Sequence, residues 1–180
     1  VAAVRLIFRY LPDAWRNGDD LDAREAMALA AFYAGAAFGR TSVGYVHAVA
    51  HQLGRVCGTP HGNANAMVLP EVLALYGSAI HPRLAQLARR SGLAAQSTDD
   101  KTAADGLIRA IADLRARLKL PILPRGLKDT DVQDIVKQAL AEAGQFYPVP
   151  RYLGAEEIRT IVRGLLPASQ PKKTELKQHG

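Results

Sequence analysis

The chain has 180 residues, of which 48% are hydrophobic, and this is enough for one domain with a sizeable core. Its net charge of +6 does not indicate nucleic-acid binding, because most arginines alternate with acidic residues and no aromatic residues accompany a basic cluster. The single cysteine, Cys57, excludes an internal disulfide, and no apolar run reaches the roughly 18 residues of a membrane span.

The first forty residues predict two helices. Residues 1–10 are apolar with arginines four apart, and Pro12 should end or bend this first helix. After a turn at residues 17–20, a second helix should cover residues 21–38. This second segment is apolar on almost every side, which favours a position in the middle of the domain.

Residues 44–70, GYVHAVAHQLGRVCGTPHGNANAMVLP, contain three of the five histidines. His47 and His51 are four residues apart, so they share one face of a predicted helix. His61 follows a Gly-Thr-Pro break and falls in the first turn of the next helix. A short turn between two helices can return His61 to the other two histidines. The pattern therefore allows one polar site inside an apolar helical body.

Two interpretations of these histidines remain open from their spacing alone. Neutral imidazole is a common ligand of zinc, iron and related metals, so the first interpretation is a metal or catalytic site. The second is a helical interaction domain in which the histidines are structural and bond to carbonyl groups. A metal usually needs at least three protein ligands, and residues 44–70 contain no Asp or Glu.

The remainder of the sequence predicts further helices and no strand. Pro70 should kink or divide the helix in which it lies. The polar, lysine-rich residues 168–180 predict a disordered basic tail after an all-helical domain over residues 1–167. From the histidine segment onwards, start, stop and periodicity signals place helices at about residues 43–57, 60–76, 80–90, 98–118, 129–143 and 155–166.

The run GYVHAVAHQLG followed by TPHGNANAMVLP resembles the C-terminal half of the iron-containing alcohol dehydrogenase family. Members of that family show G-x-x-H-A-x-A-H-x-x-G, then P-H-G and a closing Leu-Pro. The resemblance extends over residues 1–166 and implies an all-α, multi-helix C-terminal domain of the dehydroquinate synthase-like fold. The family's N-terminal α/β nucleotide-binding domain has no counterpart in this sequence, so we expect a fragment of a larger enzyme.

The resemblance also implies roles for the three histidines. His47 and His61 match two of the four protein ligands of a catalytic divalent metal, Fe²⁺ or alternatively Zn²⁺. The family's other two ligands lie in a D-x-x-x-H segment, and this sequence contains none. His51 matches the histidine that faces the nicotinamide of NAD or NADP, as a catalytic and cofactor-binding residue that passes a proton.

The implied function is NAD(P)-linked oxidation of alcohols to aldehydes or ketones, or the reverse, with the isolated fragment inactive. A same-fold glycerol dehydrogenase or maleylacetate reductase is the alternative within the family, beside the interaction domain described above. The expected partners are a small alcohol or aldehyde substrate, the absent N-terminal domain and further copies of the chain. Without a disulfide or a membrane segment, we expect a cytoplasmic protein that contacts neither nucleic acid nor membrane.

Overall fold

The computed structural model describes residues 1–167, except for the side chains of residues 145 and 146. Over this range the chain forms eight α-helices and no strand, so the expected all-α fold class is confirmed. The predicted tail, residues 168–180, lies outside the described residues. The helices are α1 Ala2–Arg16, α2 Leu21–Thr41, α3 Tyr45–Cys57, α4 His61–Tyr76, α5 His81–Ser91, α6 Asp100–Arg117, α7 Asp129–Phe146 and α8 Ala155–Gly164, with a 3₁₀ turn at Gly77–Ala79.

Local signals in the sequence explain where several helices begin and end. α6 begins where the Asp99 side chain accepts a hydrogen bond of 2.9 Å from the backbone N–H of Thr102. α3 and α5 are followed directly by Gly58 and Gly92, whose φ angles are 62° and 81°. These are left-handed conformations that favour glycine after a helix. In the described part of the chain, no helix is long and apolar enough to span a membrane.

Two prolines lie inside helices instead of ending them. α1 continues past Pro12 to Arg16, and α4 continues past Pro70 to Tyr76. Each proline removes a backbone N–H from its helix, which costs stability. Both prolines are buried, so their apolar rings contribute to the packing of their helices. The expectation that Pro12 could end α1, or that Pro70 could divide α4, is therefore wrong.

The main core lies between α3, α4, α7 and α8. α3 packs against both α4 and α7, and α8 packs against α7 and α4. The hydroxyl of the buried Tyr45 on α3 donates to the carbonyl of Leu153 (3.4 Å) and accepts from its N–H (3.2 Å). This pair of bonds ties the loop after α7 to the helix that carries two of the histidines. Large side chains buried in this core include Leu53, Met67, Ile135 and Ile158.

The second group of helices consists of α1, α2, α5 and α6. α5 packs against α6 around Ala85, Ala88 and Leu107, and α1 contacts both helices. α2 packs mainly against α1. The prediction that α2 lies in the middle of the domain is wrong for this chain, since Phe32 is 68% and Phe38 is 55% exposed. The apolar surface of α2 is covered on one side, and much of the rest faces outward.

Candidate functional site

Three histidines from two helices meet at the edge of the main core. The ring centroids of His47 and His51 are 5.9 Å apart, and each lies 5.4 Å from the ring of His61. The rings of His51 and His61 are stacked, with an angle of 22° between their planes. The metal hypothesis required His47 and His61 to meet, and the structure brings their rings together.

The arrangement follows from how α3 packs and how the chain turns after it. Ala48, Val49 and Leu53 are fully buried in the main core. The neighbouring face of α3, which carries the two histidines, therefore lies at the edge of this core. α3 ends at Cys57, and α4 begins three residues after Gly58, with His61 as its first residue. This tight turn lets α4 present its histidine beside those of α3.

His47 is the most enclosed of the three, being half-buried, whereas the other two are exposed. Burial lowers the pKa of His47, and the nearby rings of His61 and His51 lower this pKa further. The Glu142 carboxylate acts in the opposite direction but does not reverse the shift. The lowered pKa favours neutral His47, the form that offers a nitrogen lone pair to a metal.

His61 has a contact of its own with Asn65, one turn later on α4. The Asn65 side-chain nitrogen lies 3.1 Å from Nε2 of His61 and donates to the His61 carbonyl at 2.9 Å. The side-chain oxygen of Asn65 is buried without a hydrogen-bond partner among the described residues. These two contacts hold the His61 ring beside Asn65 in the first turn of α4.

Glu142 of α7 also lies at the site, although no residue of α7 was predicted there. Its Oε1 lies 2.7 Å from Nδ1 of His51 and accepts a hydrogen bond of 2.5 Å from the Tyr147 hydroxyl. Its Oε2 accepts a hydrogen bond of 3.3 Å from the side chain of Gln52. The carboxylate therefore connects the histidine helix to α7 and to the loop that follows α7.

One signal in the sequence could have revealed Glu142. It follows Ile135 by seven residues and Ala139 by three, which places all three on one face of α7. Ile135 and Ala139 are fully buried against the main core. An acidic residue that continues an inward-facing apolar stripe requires a polar partner, and here the partner is His51.

The donors present fit part of a metal site. His47 and His61 offer two imidazole nitrogens, a donor type that suits Fe²⁺ and Zn²⁺. Within residues 1–167, no group of three or more His, Cys, Asp or Glu side chains is arranged to hold a metal ion. Cys57 packs against the main core, and burial raises the pKa of its thiol, which disfavours the thiolate that binds metals. The two histidines therefore offer fewer donors than a complete metal site needs.

Comparison with known proteins identifies the family and the fold. The model of the Fe-containing alcohol dehydrogenase family, C-terminal, matches residues 1–166. The 1,3-propanediol dehydrogenase of Citrobacter freundii is 39% identical over 166 residues, which cover 91% of this chain and 42% of that protein. The NAD-dependent methanol dehydrogenase of Bacillus methanolicus is 32% identical, with coverages of 92% and 44%. A solved structure of 1,3-propanediol oxidoreductase has a TM-score of 0.84 at 38% identity, covering 92% of this chain and 44% of that one. The chain thus spans less than half the length of these relatives.

Proposed function

The chain belongs to the Fe-containing alcohol dehydrogenase family, and on this premise we propose that residues 1–167 are the C-terminal helical domain of a metal-dependent, NAD(P)-linked alcohol dehydrogenase. The parent enzyme oxidises small alcohols to aldehydes or ketones, or catalyses the reverse reaction. The observation that carries the proposal is the meeting of three imidazoles at the edge of the core. Relatives named for 1,3-propanediol and for methanol support small alcohols as the substrate class.

In this proposal His47 and His61 hold the divalent metal, Fe²⁺ or Zn²⁺, through one ring nitrogen each. The enclosure of His47 and the proximity of the other rings favour its neutral state, as metal binding requires. The remaining ligands come from outside residues 1–167. When bound, the metal would supply Lewis acidity toward the alcohol oxygen, and NAD or NADP would supply the hydride acceptor.

His51 accepts the proton that leaves the alcohol and passes it to solvent. Its Nδ1 faces the Glu142 carboxylate, so Nε2 is the nitrogen left to accept a proton. The His51 side chain is 41% exposed, which allows the ring to pass the proton on to solvent. An imidazole can both accept and donate a proton, so it is suited to both steps.

Metal content and turnover of the parent enzyme test the proposal. Loss of a metal ligand should lower both metal content and turnover. His47→Ala and His61→Ala should therefore each reduce bound metal and NAD-linked alcohol oxidation by about tenfold to a hundredfold. His51→Ala should retain the metal while kcat falls by about 10² to 10⁴, the usual contribution of a general acid or base.

His81→Ala is the matched control, because His81 begins α5 outside the histidine cluster. This variant should keep both the metal and the turnover of the unaltered enzyme. Full metal content in His47→Ala and His61→Ala would show that these residues are not ligands.

A further inference from the structure

We propose that Glu142 is the positioning residue of this site, holding His51 in the tautomer whose proton is on Nδ1 and whose Nε2 lone pair is free. The direction in which the proton then moves rests on the proposed function. The pairing itself rests only on contacts between α3 and α7.

The side chains of His51 and Glu142 are in direct contact. Nδ1 of His51 and Oε1 of Glu142 are 2.7 Å apart, a normal length for a charge-assisted hydrogen bond. An ionised carboxylate can only accept hydrogen bonds, so the proton in this contact belongs to Nδ1. A neutral imidazole with its proton on Nδ1 offers a lone pair at Nε2. Glu142 therefore determines which nitrogen of His51 can receive a proton.

The carboxylate is itself held in place by two donors. The Tyr147 hydroxyl donates to the same Oε1 at 2.5 Å, and the Gln52 amide donates to Oε2 at 3.3 Å. The oxygen of that amide accepts from Nε of Arg55 at 2.9 Å, which directs the amide nitrogen toward Glu142. Burial, together with the Glu142 carboxylate, raises the pKa of Tyr147 to about 12, so this hydroxyl stays a donor at neutral pH.

The helices that carry the pair are held together by the main core. α3 and α7 pack against one another in the main core, where Leu53, Ile135 and Ala139 are fully buried. Glu142 is only 25% exposed, so few other positions are open to its carboxylate. A functional side chain held on packed helices keeps its geometry better than one on a loop.

Imidazole tautomers can be read by NMR, with no need for metal or turnover. In ¹⁵N-labelled 180-residue chain and in the longer parent enzyme at about pH 8, two-bond ¹H–¹⁵N correlations should show His51 protonated on Nδ1. Glu142→Ala should convert this pattern to the mixture of tautomers of a free imidazole. Glu142→Gln retains an acceptor oxygen and should keep part of the Nδ1-protonated form, which tests the proposal even if the alanine variant folds poorly.

Glu156→Gln is the matched control, because the Glu156 side chain is 84% exposed on α8 and pairs with Arg159. Its spectrum should retain the His51 pattern of the unaltered chain. An unchanged His51 pattern in folded Glu142→Ala would overturn the proposal.

Kinetics of the parent enzyme separate positioning from metal binding. Glu142→Ala should lower kcat by about tenfold to a hundredfold while the KM for alcohol and the metal content stay unchanged, as for other groups that orient a functional residue. Loss of metal in this variant would make Glu142 a ligand and would refute the positioning role. If every form lacks dehydrogenase activity but the tautomer changes as described, the proposed function fails and the pairing stands.

Discussion

Gly58 ends the helix that carries His47 and His51, in the left-handed region of backbone space with a φ of 62°. No atom lies within 4 Å of the position that a Cβ would take, so the cost of Gly58→Ala is conformational and not steric. We expect the variant to lose about 1 kcal/mol of unfolding free energy.

Gly35→Ala is the matched control in urea denaturation. Gly35 lies inside α2 with a similarly open environment and no positive φ. This variant should gain about 0.5 to 1 kcal/mol, because alanine is the better helix former. A neutral or stabilising Gly58→Ala would contradict the expectation.

Glu157 makes stability depend on pH at the start of α8. Its Oε1 accepts from the Arg151 guanidinium at 2.8 Å, and its Oε2 accepts from the backbone N–H of Gly154 at 2.9 Å. Arg151, and then the Gly154 amide, hold the pKa of this carboxyl below its ordinary range. A depressed carboxyl pKa stabilises the fold above the unfolded value of about 4.3, and this contribution is lost as pH falls through the folded value.

Glu157→Gln should therefore lower Tm at neutral pH, and the difference from the unaltered chain should shrink toward about pH 3. Thermal denaturation followed by circular dichroism at both pH values measures the two differences. An equal difference at both would show that the ionised carboxylate is not responsible.

Among single residues, the histidine cluster was predictable from the sequence, whereas Glu142 was predictable only as an inward-facing acidic residue and its contact with His51 was not. The cluster follows from local rules, since His47 and His51 share a helix face and the break before His61 is short. Glu142 lies 91 residues beyond His51, and the two meet only because α7 packs on α3. Helix periodicity marks Glu142 as inward-facing, but it does not identify the residue opposite.

At the scale of the helix, α4 shows how a proline is accommodated inside a continuous helix. Pro70 has no N–H to donate to the carbonyl of Ala66, four residues earlier. The Arg115 side chain of α6 donates to the carbonyl oxygens of Ala66 and Met67 at 3.3 and 3.4 Å. Arg115 thus supplies a donor where the proline interrupts the hydrogen bonding of α4.

A double-mutant cycle tests this substitution of one donor for another. Arg115→Met should cost about 1 to 3 kcal/mol of unfolding free energy, because it leaves the partly buried carbonyl of Ala66 without a donor. The Pro70→Ala background restores a backbone N–H at residue 70. In that background, Arg115→Met should reduce the free energy of unfolding by about 1 kcal/mol less than it does in the unaltered chain. Arg109→Met, at an exposed position of α6, is the control. Strictly additive losses in urea denaturation would refute the coupling.

Helix ends were more predictable than helix environments. The boundaries at Gly92 and Asp99 follow from a glycine stop and an aspartate cap, which act within a few residues. The burial of α2 was predicted wrongly, because apolarity on every side shows that a helix needs covering but not what covers it. Long-range packing therefore accounts for the error.

At the scale of the whole molecule, residues 1–167 contain the two proposed metal ligands but no group of three or more potential ligands arranged to hold a metal ion. Because two imidazoles supply fewer ligands than a stable iron or zinc site needs, we expect the chain alone to lose Fe²⁺ or Zn²⁺ on dialysis. We also expect it to show no NAD-linked alcohol oxidation. Metal analysis after dialysis and an absorbance assay for NADH test both points, with the longer parent as the positive control. Turnover by the chain alone would refute this expectation.

The exposed side of α2 gives the chain a second property that can be tested. Phe32 and Tyr33 follow Leu29 by three and four residues, so both lie on the same face of the helix as Leu29. They are 42%, 68% and 41% exposed, and the rings of Phe32 and Tyr33 lie 6.0 Å apart. Contiguous apolar surface of this kind commonly marks an interaction site, so we expect copies of the chain to associate through α2.

Light scattering over a range of protein concentrations measures this association. The average mass should rise with concentration for the unaltered chain, and Phe32→Glu should reduce the rise because it places a charge in the apolar face. Ile122→Glu is the matched control, since Ile122 is also exposed, at 58%, but lies in the loop between α6 and α7. A strict monomer at all concentrations would refute the expectation. Equal association of Phe32→Glu and Ile122→Glu would also refute it, because the contact would then not involve α2.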